Sequence, residues 1–390
     1  MHKGFSHFIR GVTLIELMVG MAIGLVTLLA VFQIYATWEG RQRTGASKND
    51  AQISGSMAAF ALERDLRLSS FGYGPASNPS DTKAGCTVNA TFNGAAFSFP
   101  LLPIQIVNGA LGGPDQINTL YGESALRVIR EAVLDSTVSS KSLLNRGGIV
   151  PGDKVILTDS NVANTCRLVE VTNTSPPVNV HAFEHNVGAY QSAYTAEGKL
   201  ALAGGGAIAT ATLNLAAGTG ASAFDEAFDM GVNPQANNWR IAGASPVKPI
   251  LQRTNRLPTN GVASLAAEVA EDIVNLQAQY GYDVDNNGQI SAAEWFDANP
   301  AVAPALGLPV PTDWSRLLAV RFGILARSRQ YEILPFRAAN PSWAAGQFVM
   351  RDISGGADSN PAGANNWRAY RYAVYESVIP VRNVLWGRGL

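Results

Sequence analysis

The stretch Met1–Trp38, MHKGFSHFIRGVTLIELMVGMAIGLVTLLAVFQIYATW, decides how the rest of the chain is organised. It begins with a short basic leader and continues into an apolar run, Leu17–Ala36, that contains no charged residue. As a helix, about 20 such residues would measure about 30 Å, the thickness of the hydrocarbon core of a bilayer. The stretch therefore predicts a helix that can span a membrane.

The order of leader and apolar run distinguishes this stretch from a secretory signal peptide, which has its small-residue cleavage site after the apolar run. Here Gly11 lies before the run, and Glu16 follows it five residues later. The pattern RGVTLIEL resembles the class III signal of type IV prepilins, which a prepilin peptidase cuts after the glycine. An ordinary signal or anchor helix is the alternative interpretation.

The composition limits the classes of function. Of 390 residues, 15% are charged, the formal net charge is −1, and no run of like charge occurs. This balance gives no support for nucleic-acid binding. The length suits one large domain or two small ones, and the 38 glycines and 20 prolines favour a loop-rich β architecture.

The helical pattern continues beyond the apolar run. No proline occurs from Val12 to about Ser70, which allows one helix of roughly 55 residues before the turn-rich SSFGYGP at 69–75. Its second half has two apolar sides, one with Ile53, Met57, Phe60 and Leu68 and one with Ala58, Leu62 and Leu66. Unless it is fully buried, such a helix needs two partners, here its own globular head and neighbouring subunits.

The rest of the chain favours short strands separated by turns. The predicted strands are Ala125–Val133, Lys154–Thr158, Arg167–Val171, Arg316–Ala326 and Arg368–Val378. The prediction is an α+β protein in which a long N-terminal helix packs on an antiparallel, β-rich globular head. We divide the chain into a leader at 1–11, a transmembrane and assembly helix at 12–70, and the head at 71–390.

Two cysteines, Cys86 and Cys166, are an even number in a chain whose start directs it out of the cytoplasm. This favours one disulfide, and two buried free thiols are the alternative. The bond would close a loop of 80 residues (166 − 86) and stabilise the fold by about 4 kcal/mol on a chain-entropy model.

The segment DVDNNGQISAAE, 283–294, fits the D-x-[DN]-x-[DN]-G-x5-E pattern of an EF-hand calcium loop. The expected ligands of a structural Ca²⁺ are Asp283, Asp285, Asn287, Gln289, Ser291 and Glu294, with Gly288 at the sharp turn. The apolar spacing in Val262–Tyr282 suggests an entering helix, whereas Pro300 argues against an exiting one. With three carboxylates we expect weak binding, in the range of about 10⁻⁴–10⁻³ M. A polar turn without metal is the alternative.

The string HAFEH, 181–185, matches the H-x-x-E-H pattern of one class of zinc peptidases. Zinc catalysis would need both histidines on one helical face. The nearby Pro176, Pro177 and Gly188 disfavour a helix there, so a loop or strand end is the preferred interpretation. The chain is not expected to be an enzyme.

Further segments resemble one pilin family. ALERDLRLSSFGYG follows the apolar run, VNLQAQYGYDVDNNGQ and RLLAVRFGILARS come later, and YRYAVYESVIPVRNVLW closes the chain. Together with the N-terminus they are similar to PilW-type minor pilins of the type IV pilus, with residues 75–260 outside the resemblance. Major pilins usually have Phe where this chain has Val12, which favours a minor subunit.

The resemblance implies a type IV pilin-like fold, cleavage after Gly11 and methylation of Val12. It implies that Glu16 meets the N-terminal amine of a neighbouring subunit and guides docking. The expected partners are prepilin peptidase, other minor pilins, the major pilin, a pilus-tip adhesin, and the membrane before assembly. The expected location is the inner membrane with a periplasmic head, then the tip of a cell-surface pilus, where the subunit primes assembly and supports twitching motility or adhesion.

Three alternatives to this function remain open at the level of sequence. A minor pseudopilin of a type II secretion system has the same type of N-terminus. A membrane-tethered zinc hydrolase would use His181, Glu184 and His185. A plain surface protein with one membrane span would not be cleaved at Gly11.

Overall fold

The computed structural model describes residues 12–71, 85–92, 95–124, 130–136, 140–158, 165–171, 174, 181–185, 194–195, 224, 226–242, 248–257, 265–298, 316–330, 339–352 and 366–382. One helix, α1, extends from Leu14 to Leu68. In this described part the strands, in chain order, are β1 Thr87–Phe92, β2 Ala95–Pro100, β3 Ile104–Val107, β4 Gln116–Tyr121, β5 Glu131–Ser136, β6 Ser140–Leu143, β7 Lys154–Thr158, β8 Thr165–Glu170, β9 Ala182–Glu184, β10 Tyr194–Thr195, β11 Glu226–Asp229, β12 Gln235–Ala242, β13 Ile250–Asn255, β14 Ala267–Glu271, β15 Ile273–Tyr282, β16 Trp295–Phe296, β17 Leu317–Arg327, β18 Ser342–Trp343, β19 Gly346–Gln347 and β20 Tyr372–Pro380. Short 3-10 helices occur at Ala110–Gly112, Ala292–Glu294 and Trp367–Ala369.

The strands form three main sheets and a small hairpin. The largest sheet has the order β10-β1-β8-β7-β11-β5-β6-β9, with β2 added beside β1. A five-stranded sheet has the order β14-β13-β12-β4-β3, a four-stranded sheet has the order β16-β15-β17-β20, and β18 pairs with β19. These pairings are antiparallel except for β1 with β8. The predicted α+β class, one long helix with antiparallel sheets, is therefore confirmed.

Helix α1 has defined ends. Thr13 caps the first turn, because its side chain accepts a hydrogen bond from the amide of Glu16. At the other end the Ser69 hydroxyl donates to the carbonyl of Leu66, and Ser70 takes a positive φ of 69°. The amide of Ser70 then donates to Leu120 in β4, so the chain passes directly from the helix into the head.

The second half of α1 packs against the five-stranded and four-stranded sheets. Ala58, Leu62 and Leu66 are fully buried in one core with side chains of β12, β15 and β17. Gly55 permits the close approach, since a side chain there would collide with Tyr375 and touch Ala326. Of the two apolar sides predicted for this half of the helix, the one with Ala58, Leu62 and Leu66 is therefore the side that faces the head.

The strand predictions differ in how well they match the structure. The segment 154–158 coincides with β7, 167–171 overlaps β8, and 316–326 overlaps β17. The segment 368–378 begins in a 3-10 turn and becomes β20 only at Tyr372. Of 125–133, residues 125–129 lie outside the described part, and β5 begins at Glu131.

A separate core holds the largest sheet together. Cys86 and Cys166 form a disulfide with a Cα–Cα distance of 6.0 Å, as predicted, and both are buried beside Val88 and Leu168. Cys166 lies in β8 directly opposite Val88 of β1. The bond therefore links two strands that are neighbours in the sheet but far apart in the chain.

Candidate functional site

The start of α1 is the first candidate site. Helix residues Leu14–Glu39 are apolar enough to cross a membrane. The most apolar stretch of 18 residues within this range has no residue buried against the described part of the head. Glu16 lies in the first turn, where the positive end of the helix dipole favours a carboxylate. Val12 is 70% exposed, while Gly11 and the rest of the leader lie outside the described residues. Cleavage after Gly11 therefore stays a prediction.

The outer side of the second half of α1 continues this apolar surface. Ile53, Met57 and Phe60 are 50%, 55% and 73% exposed. They lie opposite the buried face, as the helical spacing predicts, and the head does not cover them. Leu68, predicted on the same side, is less exposed at 38%.

Asp65 fixes the helix to the head and was not singled out by the sequence analysis. Its carboxylate is buried and accepts hydrogen bonds from Asn237 Nδ2 at 2.7 Å, Trp239 Nε1 at 2.9 Å and the Tyr121 hydroxyl at 3.2 Å. The Arg253 guanidinium lies 4.0 Å away. Burial, followed by the negative charge of Asp65, raises the pKa of Tyr121 above its usual range. The only signal in the sequence was an acid placed between two apolar helix positions, Leu62 and Leu66.

The loop at 283–294 is the second candidate site. Carboxylate oxygens of Asp283, Asp285 and Glu294 lie within 4.8 Å of one another. Asp283 is buried and accepts hydrogen bonds from the amides of Asn287 and Gly288, both at 2.9 Å. These bonds curl the loop around the carboxylate, and Gly288 takes the positive φ of 80° that the turn requires.

Glu294 closes the loop from its other end. Its two carboxylate oxygens accept from the amides of Val284 and Ser291, each at 2.8 Å. Hydrogen bonds from Ser291 and then Val284 lower the pKa of Glu294, which keeps it ionised. Hard oxygen donors of this kind suit Ca²⁺.

The neutral members of the predicted ligand set lie on the exposed side of the loop. Asn287 donates from Nδ2 to Asp285 at 2.8 Å, and its Oδ1 accepts from the amide of Gln289 at 2.7 Å. Gln289 and Ser291 are exposed. The structure thus brings the three acids together, with Asn287 hydrogen-bonded to one of them.

The predicted entering helix at 262–282 is wrong. Residues 265–282 contain the strands β14 and β15, and 262–264 lie outside the described part. The apolar spacing that suggested a helix runs across both strands, whereas within β15 the buried Leu276, Ala278, Tyr280 and Tyr282 alternate with Gln277, Gln279 and Gly281, as in a strand. The loop therefore connects two antiparallel strands, β15 and β16.

The HAFEH segment does not form a metal site among the described residues. His181 lies on an exposed turn, Ala182–Glu184 form β9, and His185 is buried. In the described ranges neither histidine belongs to a group of three candidate metal ligands. Asp283, Asp285 and Glu294 of the loop at 283–294 do form such a group. The preferred interpretation, a strand end, agrees with the structure.

Two comparisons with known proteins gave a match. Residues 237–383 match the family model described as type IV pilus-assembly protein W. This range includes most of β12, the loop at 283–294 and β20. No curated protein matches the chain. A type IV-like pilin from Thermus thermophilus aligns over 85% of this chain and 97% of its own, with 9% identity and a TM-score of 0.26. The family match confirms, over residues 237–383, the resemblance to PilW-type proteins and indicates a function connected with the type IV pilus.

Proposed function

We propose that this protein is a minor pilin that helps to initiate assembly of the type IV pilus and supports twitching motility or adhesion. The observation that carries the proposal is the single continuous helix α1. Its first half is apolar and exposed, and its second half packs on the head. The C-terminal part of that head, residues 237–383, matches the pilus-assembly family model. No catalytic role is assigned to any residue.

Processing is the first step of this function. We propose that prepilin peptidase removes residues 1–11 and that Val12 becomes the methylated N-terminus. Before assembly the Leu14–Glu39 segment anchors the subunit in the inner membrane with the head in the periplasm. In the pilus the same surface packs on the helices of other minor pilins and the major pilin, near the tip and its adhesin.

Glu16 is the proposed docking residue. A carboxylate at the edge of the hydrocarbon is costly unless it is paired, and the free amine of a neighbouring mature chain is a matching partner. Glu16 is held on the first turn of the helix, three residues after the capping Thr13.

N-terminal sequencing of protein from piliated cells tests the processing. We expect a mature chain that begins with N-methyl valine at position 12, and an intact leader would contradict the proposal. Deletion of the gene should abolish surface pili and twitching while leaving type II secretion unchanged. The opposite pattern, with pili intact and secretion lost, would identify a pseudopilin instead.

The docking role can be tested separately with Glu16→Ala, with Glu39→Ala at the other end of the apolar segment as a matched control. We expect Glu16→Ala to be processed normally but to enter sheared pili at roughly a tenth of the normal level or less. Glu39→Ala should be incorporated normally. Equal incorporation of the two variants would exclude the role of Glu16.

We also propose that the loop at 283–294 binds a structural Ca²⁺. The proposal is supported by the convergence of three carboxylates at the position that the full EF-hand pattern specifies. Asp283, Asp285 and Glu294 would hold the ion, with Asn287, Gln289 and Ser291 as further oxygen donors. The ion would relieve the repulsion among the three acids and fasten β15 to β16.

A thermal melt in 10 mM CaCl₂ and in EDTA tests this site. At the expected affinity the ion stabilises the head by about 1.4–2.7 kcal/mol, or a few degrees in Tm. Asp283→Ala should abolish the shift, while Asp135→Ala, an exposed acid on β5, should retain it. An equal calcium shift in the Asp283 variant would show that the ion binds elsewhere.

A further inference from the structure

The middle of the apolar half of α1 is built for an environment without water. Over residues 17–32 the only polar side chain is that of Thr27. Its hydroxyl donates to the carbonyls of Ile23 and Gly24 in the preceding turn, at 2.9 and 2.8 Å. The hydrogen-bonding need of this side chain is therefore met inside the helix, as a hydrocarbon environment requires.

Two aromatic side chains with a polar edge follow this apolar stretch. Tyr35 and Trp38 are 62% and 58% exposed and lie about one helical turn apart on the same side of α1. Trp38 is the only one of the chain's seven tryptophans that belongs to α1. Tryptophan and tyrosine prefer the boundary between hydrocarbon and headgroups, where the ring is in an apolar environment and the N–H or hydroxyl stays hydrated. Their type and position therefore indicate a membrane boundary at this level of the helix.

The distance from this aromatic pair to Glu16 matches the thickness of a bilayer. Tyr35 lies 19 residues beyond Glu16 (35 − 16) and Trp38 lies 22 residues beyond it (38 − 16), all in one continuous helix. At a rise of about 1.5 Å per residue these separations are about 29 and 33 Å, whereas a hydrocarbon core measures about 30 Å. With the aromatic pair at one boundary, the carboxylate of Glu16 therefore lies at the other.

The next part of α1 separates the head from that boundary. The segment EGRQRTGASKND, 39–50, contains five charged side chains and no large apolar one, and we call it the charged neck. Among the described side chains of α1, Ala51 is the first that is buried against the head. It lies 13 residues beyond Trp38 (51 − 38), or about 20 Å along the helix. A headgroup layer is about 5–8 Å thick on each side, so the charged neck crosses it and extends into water.

We propose that Tyr35 and Trp38 form an interfacial anchor, which binds the outer headgroup boundary of the bilayer and fixes the depth of α1 before assembly. The anchor holds Glu16 at the inner boundary, and the charged neck keeps the head clear of lipid. The membrane location rests on the proposed function, whereas the anchoring residues and the depth go beyond it. A neighbouring protein helix, the alternative occupant, would not account for the match between this spacing and the bilayer thickness.

Depth-dependent quenching of tryptophan fluorescence tests the anchor in the full chain. The protein is inserted into vesicles of phosphatidylethanolamine and phosphatidylglycerol that carry a nitroxide either near the headgroup or near the end of an acyl chain. We expect the shallow label to quench Trp38 at least about twofold more strongly than the deep label does. Trp38→Phe should abolish the quenched component, because the other six tryptophans follow the charged neck in the chain.

Two further variants test whether the depth is fixed. In the double variant Trp38→Phe, Phe32→Trp the probe lies six residues (38 − 32), or about 9 Å, deeper, so the deep label should quench it more strongly. Tyr35→Leu extends the apolar run and should reduce the preference of Trp38 for the shallow label by about half or more. Its matched control is Ile34→Leu, at a position that is 70% exposed, and it should leave the preference unchanged.

Equal quenching by the two labels, stronger quenching of Trp38 by the deep label, or an unchanged profile in Tyr35→Leu would overturn the anchor. The membrane-spanning helix and the pilin role would then stand. An absence of quenching by either label would overturn both the anchor and the proposed membrane location. Quenching that persists in Trp38→Phe would place tryptophans of the head at the lipid and overturn the role of the charged neck.

Discussion

The two halves of α1 show that burial in this protein follows the available partner and not hydrophobicity. The Leu14–Glu39 half is the more apolar, yet none of its most apolar window is buried against the head. The second half carries charges, yet Leu62 and Leu66 are completely buried while Phe60, on the opposite side, is 73% exposed. In the proposed function, the apolar surface that the described residues leave exposed would be covered by lipid or by other subunits.

Truncation of one leucine and one phenylalanine on opposite sides of α1 tests whether burial decides how much each contributes to stability. Leu62→Ala should lower the free energy of unfolding by about 3 kcal/mol, because it leaves a cavity in the shared core. Phe60→Ala should change it by less than about 0.5 kcal/mol. Urea denaturation of the full chain in detergent measures both.

The same two variants should differ in the opposite sense in the pilus. Phe60→Ala should reduce incorporation into filaments even though the subunit is stable, because the outer side of α1 loses an apolar contact. A large loss of stability in Phe60→Ala would show that this side is covered within the subunit.

Loss of the polar contact between α1 and the head should have the next largest effect on the free energy of unfolding. Asp65→Asn should lower the free energy of unfolding by about 2 kcal/mol, because an amide replaces an acceptor that serves Asn237 and Trp239. Its control is Glu63→Gln, which removes only a half-exposed ion pair with Arg67 and should cost less than about 0.5 kcal/mol. Equal denaturation midpoints for the two variants would contradict the role of Asp65.

A change of pH should alter the stability of the head through buried acids, which the exposed first half of α1 does not contain. Burial raises the pKa of both Asp115 and Asp153 from 3.8 to about 6. Their favourable contribution is therefore complete below about pH 4 and is lost as the pH rises through 6. We expect these groups to make the head about 1 kcal/mol more stable at pH 5 than at pH 7.5, after a reduction for partial solvent access.

Urea midpoints at the two pH values measure this effect. Asp115→Asn or Asp153→Asn should flatten the dependence on pH, whatever it does to the stability itself. A wild-type chain that is more stable at pH 7.5 would require other groups to dominate.

The smallest expected effect on stability comes from substitution of two glycines of α1, Gly45 and Gly55, by alanine. Gly45 has no neighbour within 4 Å of an added side chain, so Gly45→Ala should stabilise the helix by about 0.5–1 kcal/mol. Gly55→Ala should destabilise the protein, because it displaces Tyr375, whose hydroxyl donates to the Gln52 carbonyl at 2.7 Å. Thermal melts that shift in the same direction for both variants would contradict the close packing at Gly55.

The features that the sequence predicted well depend on local patterns. The absence of proline and the turn-rich 69–75 segment predicted the long helix, and the spacing of Leu62 and Phe60 predicted opposite faces. The spacing of the acids in 283–294 predicted a group of carboxylates that the structure does bring together. Whether that group binds calcium stays a prediction.

The features that the sequence did not reveal depend on distant parts of the chain. Asp65 and Asn237 are 172 residues apart, so no local pattern marks their hydrogen bond. β15 was interpreted as a helix because Val269, Ile273, Leu276 and Tyr280 have helical spacing although they lie on two successive strands, β14 and β15. Leu111 takes a left-handed backbone conformation that leucine does not itself favour, so no pattern in the sequence marks it.

The disulfide has a consequence for the timing of maturation. It joins Cys86, the residue just before β1, to Cys166 of β8, which lies opposite Val88 in the parallel pair of the largest sheet. In the proposed function, the bond would close once the chain as far as residue 166 has reached an oxidising compartment and before the subunit enters a filament. Under that proposal, formation of the bond would be a step between export and incorporation into a filament.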